Sequence, residues 1–148
     1  MAETQYVSLS LAAETFAVSV SLVREILDYA DPFRLPGAPA HLLGLIEVRG
    51  TPVPVISLRR RFGLPDSPVD EATRILVIEI PRGGDVVPLG LMADRVCDVL
   101  AIEPSDCTMP WTGNGAGCIS GVVRRGGQFV AILDVVKLLA DQIEATAA

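Results

Sequence analysis

The stretch Gly44-Leu45-Ile46-Glu47-Val48-Arg49-Gly50-Thr51-Pro52-Val53-Pro54-Val55-Ile56-Ser57-Leu58 sets what this chain can fold into. Two runs rich in Val, Ile and Leu flank Arg49-Gly50, where glycine takes the positive φ of a tight reversal, so the stretch reads as a β-hairpin. Pro52 and Pro54, two residues apart, remove backbone donors that point to one side of the second strand. That side cannot donate to a neighbour there, which predicts a sheet edge or a bulged rim.

The stretch has an ungapped echo in Gly121 to Val135. Gly44 falls on Gly121, Gly50 on Gly127, and Val53-x-Val55-Ile56 on Val130-x-Ile132-Leu133. Upstream, Val23-x-Glu25-Ile26-Leu27 matches Val96-x-Asp98-Val99-Leu100, and the two correspondences run in the same order. Together they predict a duplicated β unit, approximately 5–64 and 73–140, within a single domain spanning 1–148.

The rest of the chain follows this reading. Tyr6 to Leu11 and Phe16 to Val20 alternate as half-buried strands do, giving a first hairpin. Ser21 to Leu27 changes to helical spacing, so a short helix is expected with Leu22, Val23, Ile26 and Leu27 on its apolar face and Ser19 or Ser21 as its cap. Asp31 to Pro39 is turn-rich, Arg59 to Gly63 fits one helical turn, and Leu64 to Pro68 reads as a linker. Arg74 to Ile80 is expected as a strand buried on both faces, followed by the Gly83-Gly84 turn and strands over Val86 to Met92 and Asp94 to Ile102. Strands near Ile119 to Arg124 and Phe129 to Leu133 precede a helix from Asp134 to about Ile143, with Asp134 as its cap.

Composition narrows the function. The chain has 148 residues, half of them hydrophobic, enough to bury roughly 70% of its unfolded surface. It shows no run of about 18 apolar residues and no basic-then-apolar leader, so a soluble cytoplasmic protein without membrane insertion is expected. Twelve Lys plus Arg against 18 Asp plus Glu disfavour nucleic acid or an anionic membrane as the main partner. Arg59-Arg60-Arg61, the only basic run, is expected as a solvated face. Cys97, Cys107 and Cys118 lack C-x-x-C spacing, so neither metal nor a disulfide framework is expected; Cys97 reads as a small core residue, Cys107 and Cys118 as partly exposed.

No active site emerges. Gly113 to Gly117 looks like a phosphate loop, but a strand follows it rather than a helix. Gly117-Cys118-Ile119-Ser120-Gly121 fails the nucleophile-elbow spacing. His41 has no ligand or catalytic partner at a useful spacing. Asp94 and Asp98, four apart on a strand, would stand roughly 13 Å apart, too far for paired-carboxylate chemistry.

Several motifs in order carry a family likeness: Val23-Arg24-Glu25-Ile26, Leu35-Pro36-x-Ala38-Pro39, Gly44-Leu45-Ile46-x-Val48-Arg49-Gly50, Pro52 to Ile56, Phe62-Gly63, Asp94-x-Val96-x-Asp98-Val99-Leu100, Ile119-x-Gly121 and Leu133-x-Val135-x-Lys137-Leu138-Leu139. From Tyr6 to about Leu139 the chain resembles CheW-type chemotaxis coupling proteins. The resemblance implies a mainly β fold of two SH3-like five-stranded barrels on a shared core, with short helices and a C-terminal helix. It implies no catalytic activity and no cofactor. It further implies an adaptor recruited to membrane-associated arrays, bridging the cytoplasmic hairpin tip of a chemoreceptor to the regulatory domain of a histidine kinase.

In that family the receptor tip lies in the groove between the barrels. The corresponding receptor-binding positions here are Val23, Glu25, Ile26, Gly44, Leu45, Glu47 and Arg49; the kinase-binding face is not assigned. An amphipathic tip helix would lay its apolar anchors against Val23, Ile26 and Leu45, and Arg49 would meet a tip carboxylate. The competing expectation places Val23 and Ile26 in the core and pairs Arg49 internally with Glu47. Two residues depart from the family: Glu47 where asparagine is common, and Ser57 where aspartate is frequent. A kinase-binding regulator that contacts no receptor, and a small β-barrel enzyme, are the alternative functions.

Overall fold

The computed structural model describes residues 4–107 and 119–138, so Trp111, the Gly113 to Gly117 loop, Cys118 and the continuation of the last helix past Leu138 lie outside the described residues. Ten strands follow in order: β1 (Thr4–Leu11), β2 (Glu14–Ser19), β3 (Val23–Asp28), β4 (Leu42–Val48), β5 (Thr51–Ser57), β6 (Arg74–Arg82), β7 (Asp85–Ala93), β8 (Arg95–Ile102), β9 (Ile119–Arg125) and β10 (Gln128–Leu133). Short 3-10 turns cover Val20–Leu22 and Pro104–Asp106, helix α1 spans Leu58–Arg61, and α2 is described over residues 135–138. As expected for its cap, Asp134 accepts from Lys137 N at 3.1 Å.

The strands form two five-stranded sheets, β8-β1-β2-β10-β9 (sheet A) and β3-β6-β7-β5-β4 (sheet B). Adding or subtracting five from each strand number turns one order into the other. Neither half of the chain owns a sheet: β1 and β2 join β8, β9 and β10, while β3, β4 and β5 join β6 and β7. The antiparallel hairpins are local, but β2 with β10 and β5 with β7 are parallel pairings between the halves.

The irregularities repeat as well. A bulge shifts the register of β4 between Leu42 and Gly44, opposite Ile56 and Val55. The same break occurs in β9 between Ile119 and Gly121, opposite Leu133 and Ile132. β3 is bulged between Val23 and Glu25, and β8 between Val96 and Val99. In β8 the buried Ser8 hydroxyl fills the gap, accepting from Asp98 N at 2.9 Å and donating to Asp98 O at 3.0 Å. This bulge turns Cys97 out to solvent, correcting its expected place in the core.

Three apolar clusters hold the sheets. Ala17, Ile102, Val123, Val130 and Ile132 fill the inside of sheet A. Val48, Val53, Val55, Ile75 and Val77 fill the inside of sheet B, and Leu27 from β3, Tyr29 just past it, and Leu43 and Ile46 from β4 pack against the same cluster. β3 and β4 are opposite edges of sheet B, so packing on this shared cluster curls the sheet toward closure. The largest cluster lies between the sheets: Leu9, Leu11 and Val18 face Ile56, Leu76, Ile78, Ile80, Leu89 and Leu91. Alternate residues of β6 enter two cores, Ile75 and Val77 one and Leu76, Ile78 and Ile80 the other, which is why the strand is apolar on both faces.

Two expectations about local structure need correction. Residues Val23 to Asp28 form a strand rather than a helix, and only the 3-10 turn Val20–Leu22 is helical. Ser19 makes no side-chain cap bond there; its hydroxyl meets that of Ser21 at 2.9 Å. The antiparallel ladder to β6, from Val23 opposite Ile78 to Asp28 opposite Arg74, decides the matter over six residues too few for a stable isolated helix. At the prolines, the ladder to β4 is continuous while pairing with β7 begins only at Val55. The missing donors thus fall where no strand pairs, and β5 is a sheet rim for its first half and an interior strand for its second.

Candidate functional site

The bulge in β3 has a direct effect on the site. Arg24 is the extra residue, so Val23 lies opposite Ile78 and Ile26 opposite Leu76, both on the outer face that carries the core between the sheets. Two residues three apart thereby share a face without a helix. Val23 packs against that core, whereas Ile26 stays 45% exposed beside it. On β4, Leu45 and Glu47 lie opposite Pro54 and Pro52, also on the outer face, and Glu47 is exposed. The expected apolar anchors therefore divide: Val23 is largely core and Ile26 is available at the surface.

Gly44 is the hinge of β4. It takes φ +147° directly beneath the backbone of Phe33, where an added Cβ would lie 2.0 Å from the Phe33 carbonyl oxygen. That close approach lets Phe33 N donate to Leu45 O at 2.7 Å and Leu45 N donate to Phe33 O at 2.9 Å. Phe33 is thus held by its backbone at the β4 edge with its ring 71% exposed. Nothing in the turn-rich run Asp31 to Pro39 singled Phe33 out beyond its being a large apolar residue among turn formers.

Arg49 and Gly50 both adopt positive φ, +51° and +82°, as a two-residue hairpin turn of the twisted kind requires. The turn projects the Arg49 side chain across the closing seam of sheet B, where its Nε donates to Glu25 Oε2 at 3.2 Å. The expected internal alternative, a pair with Glu47, does not form: Glu47 points to the outer face and Glu25 to the seam. Arg24 extends the array, 3.9 Å from Glu25 and 2.6 Å from Glu79. With Arg49 72% and Glu25 20% exposed, the pair is an orienting contact worth about 0.2–1 kcal/mol. It leaves most of the Arg49 guanidinium donors facing solvent.

A second charged cluster is built on α1. Arg59 donates Nε to Asp94 Oδ1 at 2.8 Å and Nη2 to Asp94 Oδ2 at 2.6 Å, and Nη1 to Pro65 O at 2.7 Å. Asp94 Oδ2 also accepts from Ala12 N at 3.0 Å, and Asp94 N donates to Ser10 O at 3.1 Å, tying α1 to the β1–β2 turn of the other sheet. Arg60 binds Asp66 at 2.9 and 2.7 Å and Ala40 O at 2.8 Å, just ahead of β4. The expectation of a solvated basic face fails for Arg59, whose side chain is 16% exposed. Hydrogen bonding from Arg59 holds the Asp94 carboxyl below the usual carboxylate range, and Arg60 does the same for Asp66. Ser57 caps α1, accepting from Arg60 N at 3.2 Å, a role that the family's aspartate would also fill.

This arrangement suits recognition better than catalysis. The crevice bordered by Tyr29, Arg34, Leu43, Arg59, Asp66 and Asp94 holds two carboxylates, each already engaged by an arginine. Neither is free to act as a base. Among the described residues no group of three or more His, Cys, Asp or Glu side chains is placed to hold a metal ion, and no helix is long and apolar enough to cross a membrane.

Comparison with known proteins gives a consistent result. A family model described as a CheW-like domain matches residues 5–142. The chain is 31% identical over 141 residues to the chemotaxis protein CheW of Treponema pallidum, covering 93% of this chain and 83% of that protein. It is 28% identical over 137 residues to the chemotaxis protein CheW of Helicobacter pylori, covering 91% and 81%. Among solved structures, the scaffolding protein TtCheW from Thermoanaerobacter tengcongensis matches with a TM-score of 0.79 at 26% identity, covering 90% of this chain and 89% of that one.

Proposed function

This chain belongs to the CheW-like domain family, and from that membership we propose that it is a non-enzymatic adaptor coupling chemoreceptor cytoplasmic tips to a chemotaxis-type histidine kinase. The adaptor works in the cytoplasm and is recruited to membrane-associated receptor arrays through these partners. The receptor surface comprises Ile26, Leu45, Glu47 and Arg49, with Val23 and Gly44 shaping it from beneath and Glu25 orienting Arg49. Phe33, held to Leu45 by two backbone bonds, belongs to the same surface.

The observation that carries this reading is the seam of sheet B. There an exposed arginine is held on a tight turn by a carboxylate from the opposite edge strand, whose next residue is the exposed Ile26, and exposed Phe33 is bridged to Leu45 further along β4. A preorganised cation next to apolar surface fits an amphipathic helix that presents a carboxylate and aliphatic side chains. Glu47, exposed on the same face, selects against a tip whose facing surface is acidic.

Calorimetric titration of the full chain with a receptor cytoplasmic fragment, and separately with the kinase regulatory domain of the same organism, tests the proposal. Dissociation constants on the order of micromolar are expected for both. The receptor signal should vanish in Arg49→Glu while the kinase signal and the thermal midpoint are kept. Binding to the kinase alone would replace this reading with that of a receptor-independent regulator, and binding to neither would refute both.

A further inference from the structure

We propose that the β9–β10 hairpin of sheet A is a second protein-docking surface, one that takes an acidic segment with a carboxylate on Arg124 and an apolar side chain over Phe129. The proposal stands on sheet A alone and does not depend on the receptor assignment at sheet B.

The geometry of the hairpin is fixed. Gly126 and Gly127, at φ +57° and +81°, make the same tight turn as Arg49-Gly50, and Arg124 pairs directly across from Phe129. Ala131, two residues from Phe129 and on the same face, lies opposite Phe16, which packs against the core between the sheets. Arg124 and Phe129 therefore stand on the outer face of sheet A, beyond the edge of that core. They occupy the positions that Glu47 and Pro52 occupy on sheet B when Gly121 and Gly127 are laid on Gly44 and Gly50. The outer faces are equivalent in the fold and opposite in charge.

The charges point to the partner's chemistry. Arg24, Arg49, Arg59, Arg60 and Arg74 each have a carboxylate partner within the chain. Arg124 has none among the described residues; its guanidinium sits 5.7 Å from the centre of the Phe129 ring, and that ring is 61% exposed. Arg125, beside it, donates to the Ala101 carbonyl at 2.7 Å, closing sheet A across β8 and β9 without neutralising its charge. In a chain with 12 basic and 18 acidic residues, these two adjacent arginines, without a carboxylate partner among the described residues and next to an exposed aromatic, make a local basic patch. The cation–π contact places the Arg124 guanidinium over the ring, and its N–H donors, bonded to no carboxylate among the described residues, can bind one in a forked geometry. Aromatic residues and arginine are also both enriched in protein interfaces.

The test is titration of the full 15N-labelled chain with two probes: a peptide of repeating Leu-Asp-Glu and an oligothymidylate of equal charge. The peptide should shift the backbone amides from Arg124 to Val130. Arg124→Glu should weaken its binding about tenfold or more, Phe129→Ala should weaken it with Arg124 intact, and Arg82→Glu on the exposed β6–β7 turn should leave it unchanged. Equal shifts from the oligothymidylate would reduce the site to general polyanion attraction. Shifts that leave Arg124 to Val130 unmoved, or no binding at about 1 mM peptide, would overturn the assignment. So would self-association of the free chain that Arg124→Glu abolishes, because the occupant would then be a second copy.

Discussion

Gly44→Ala should be among the most damaging single substitutions in the chain, and its cost follows from geometry. The added methyl would lie 2.0 Å from the oxygen and 2.6 Å from the carbon of the Phe33 carbonyl. Both are backbone atoms, so no rotamer change relieves the clash, and the Phe33 segment must move away from β4. That movement breaks the two hydrogen bonds between Phe33 and Leu45, at about 1 kcal/mol each. Alanine held at φ +147° adds about 1–3 kcal/mol of backbone strain. The sum, about 3–5 kcal/mol, is a large fraction of the roughly 5–15 kcal/mol that stabilises a typical domain. With a urea m-value of about 2 kcal/mol/M the unfolding midpoint should fall by about 2 M, and amide exchange at Phe33 and Leu45 should accelerate. Gly37→Ala is the control: φ is +80° but nothing lies within 4 Å, so only strain is paid there. A Gly44→Ala midpoint no lower than that of Gly37→Ala, with Leu45 still protected, would refute the close-approach argument.

Other outcomes follow from single contacts. Ser8→Ala leaves Asp98 N and O unpaired inside the β8 bulge and should cost about 1–3 kcal/mol by chemical unfolding, with no change at the β4–β5 hairpin. The folded-state pKa values of Asp94 and Asp66 are depressed, so the stability they contribute is present above the unfolded value near 3.9 and is lost as pH falls through the folded values. The thermal midpoint should therefore decline steeply only in the acid range below about pH 4, and Asp94→Asn should flatten part of that decline while costing about 2 kcal/mol at neutral pH. Glu25→Gln should change stability by less than about 1 kcal/mol yet weaken receptor-fragment binding, because Arg49 loses its orientation. A double-mutant cycle with Arg49→Gln that shows no coupling in binding would contradict that role.

The parts of the fold that are local were legible in the residues. Two hairpins were marked by Arg49-Gly50 and Gly83-Gly84, the doubly buried β6 by its unbroken apolar run, and the start of the last helix by Asp134, whose cap rests on a single side-chain oxygen. β3 was misread because a bulge at Arg24 places Val23 and Ile26 on one face of a strand, the same pattern that a helix gives. Six residues do not separate the two, and the pairing with β6, about fifty residues away in sequence, does. The candidate surface was legible as a set of positions but not as a set of interactions. Arg49 finds Glu25 only because sheet B curls until its edges meet, and Phe33 joins Leu45 only because Gly44 lets two backbones touch. Cys97 and Arg59 failed for the same reason, since long-range pairing turned the first outward and enclosed the second.

The matching strand orders and the matching bulges of β3 with β8 and β4 with β9 support the duplication that we propose for this chain, and they carry a consequence for folding. A five-strand unit whose third to fifth strands must pair with another unit's first two cannot complete a sheet by itself. Residues 1–68 contain β1, β2, β3, β4 and β5, but β1 and β2 lack β8 and β10, while β3 and β5 lack β6 and β7. Residues 69–148 are deficient in the mirror sense. Each fragment also exposes one side of the core between the sheets, where Leu9, Leu11 and Val18 meet Leu76, Ile78 and Leu89. Cutting the chain in the exposed linker near Ser67 should therefore leave two fragments with no cooperative unfolding transition and little amide dispersion. Mixing them should restore both, because every broken pairing is available between the pieces. The Arg59 to Asp94 clamp, which also crosses the cut, should set how tightly they hold, so Arg59→Ala should raise the reassembly dissociation constant about tenfold or more. Independent cooperative folding of either fragment would show that the strand exchange is dispensable and that the halves are domains in their own right.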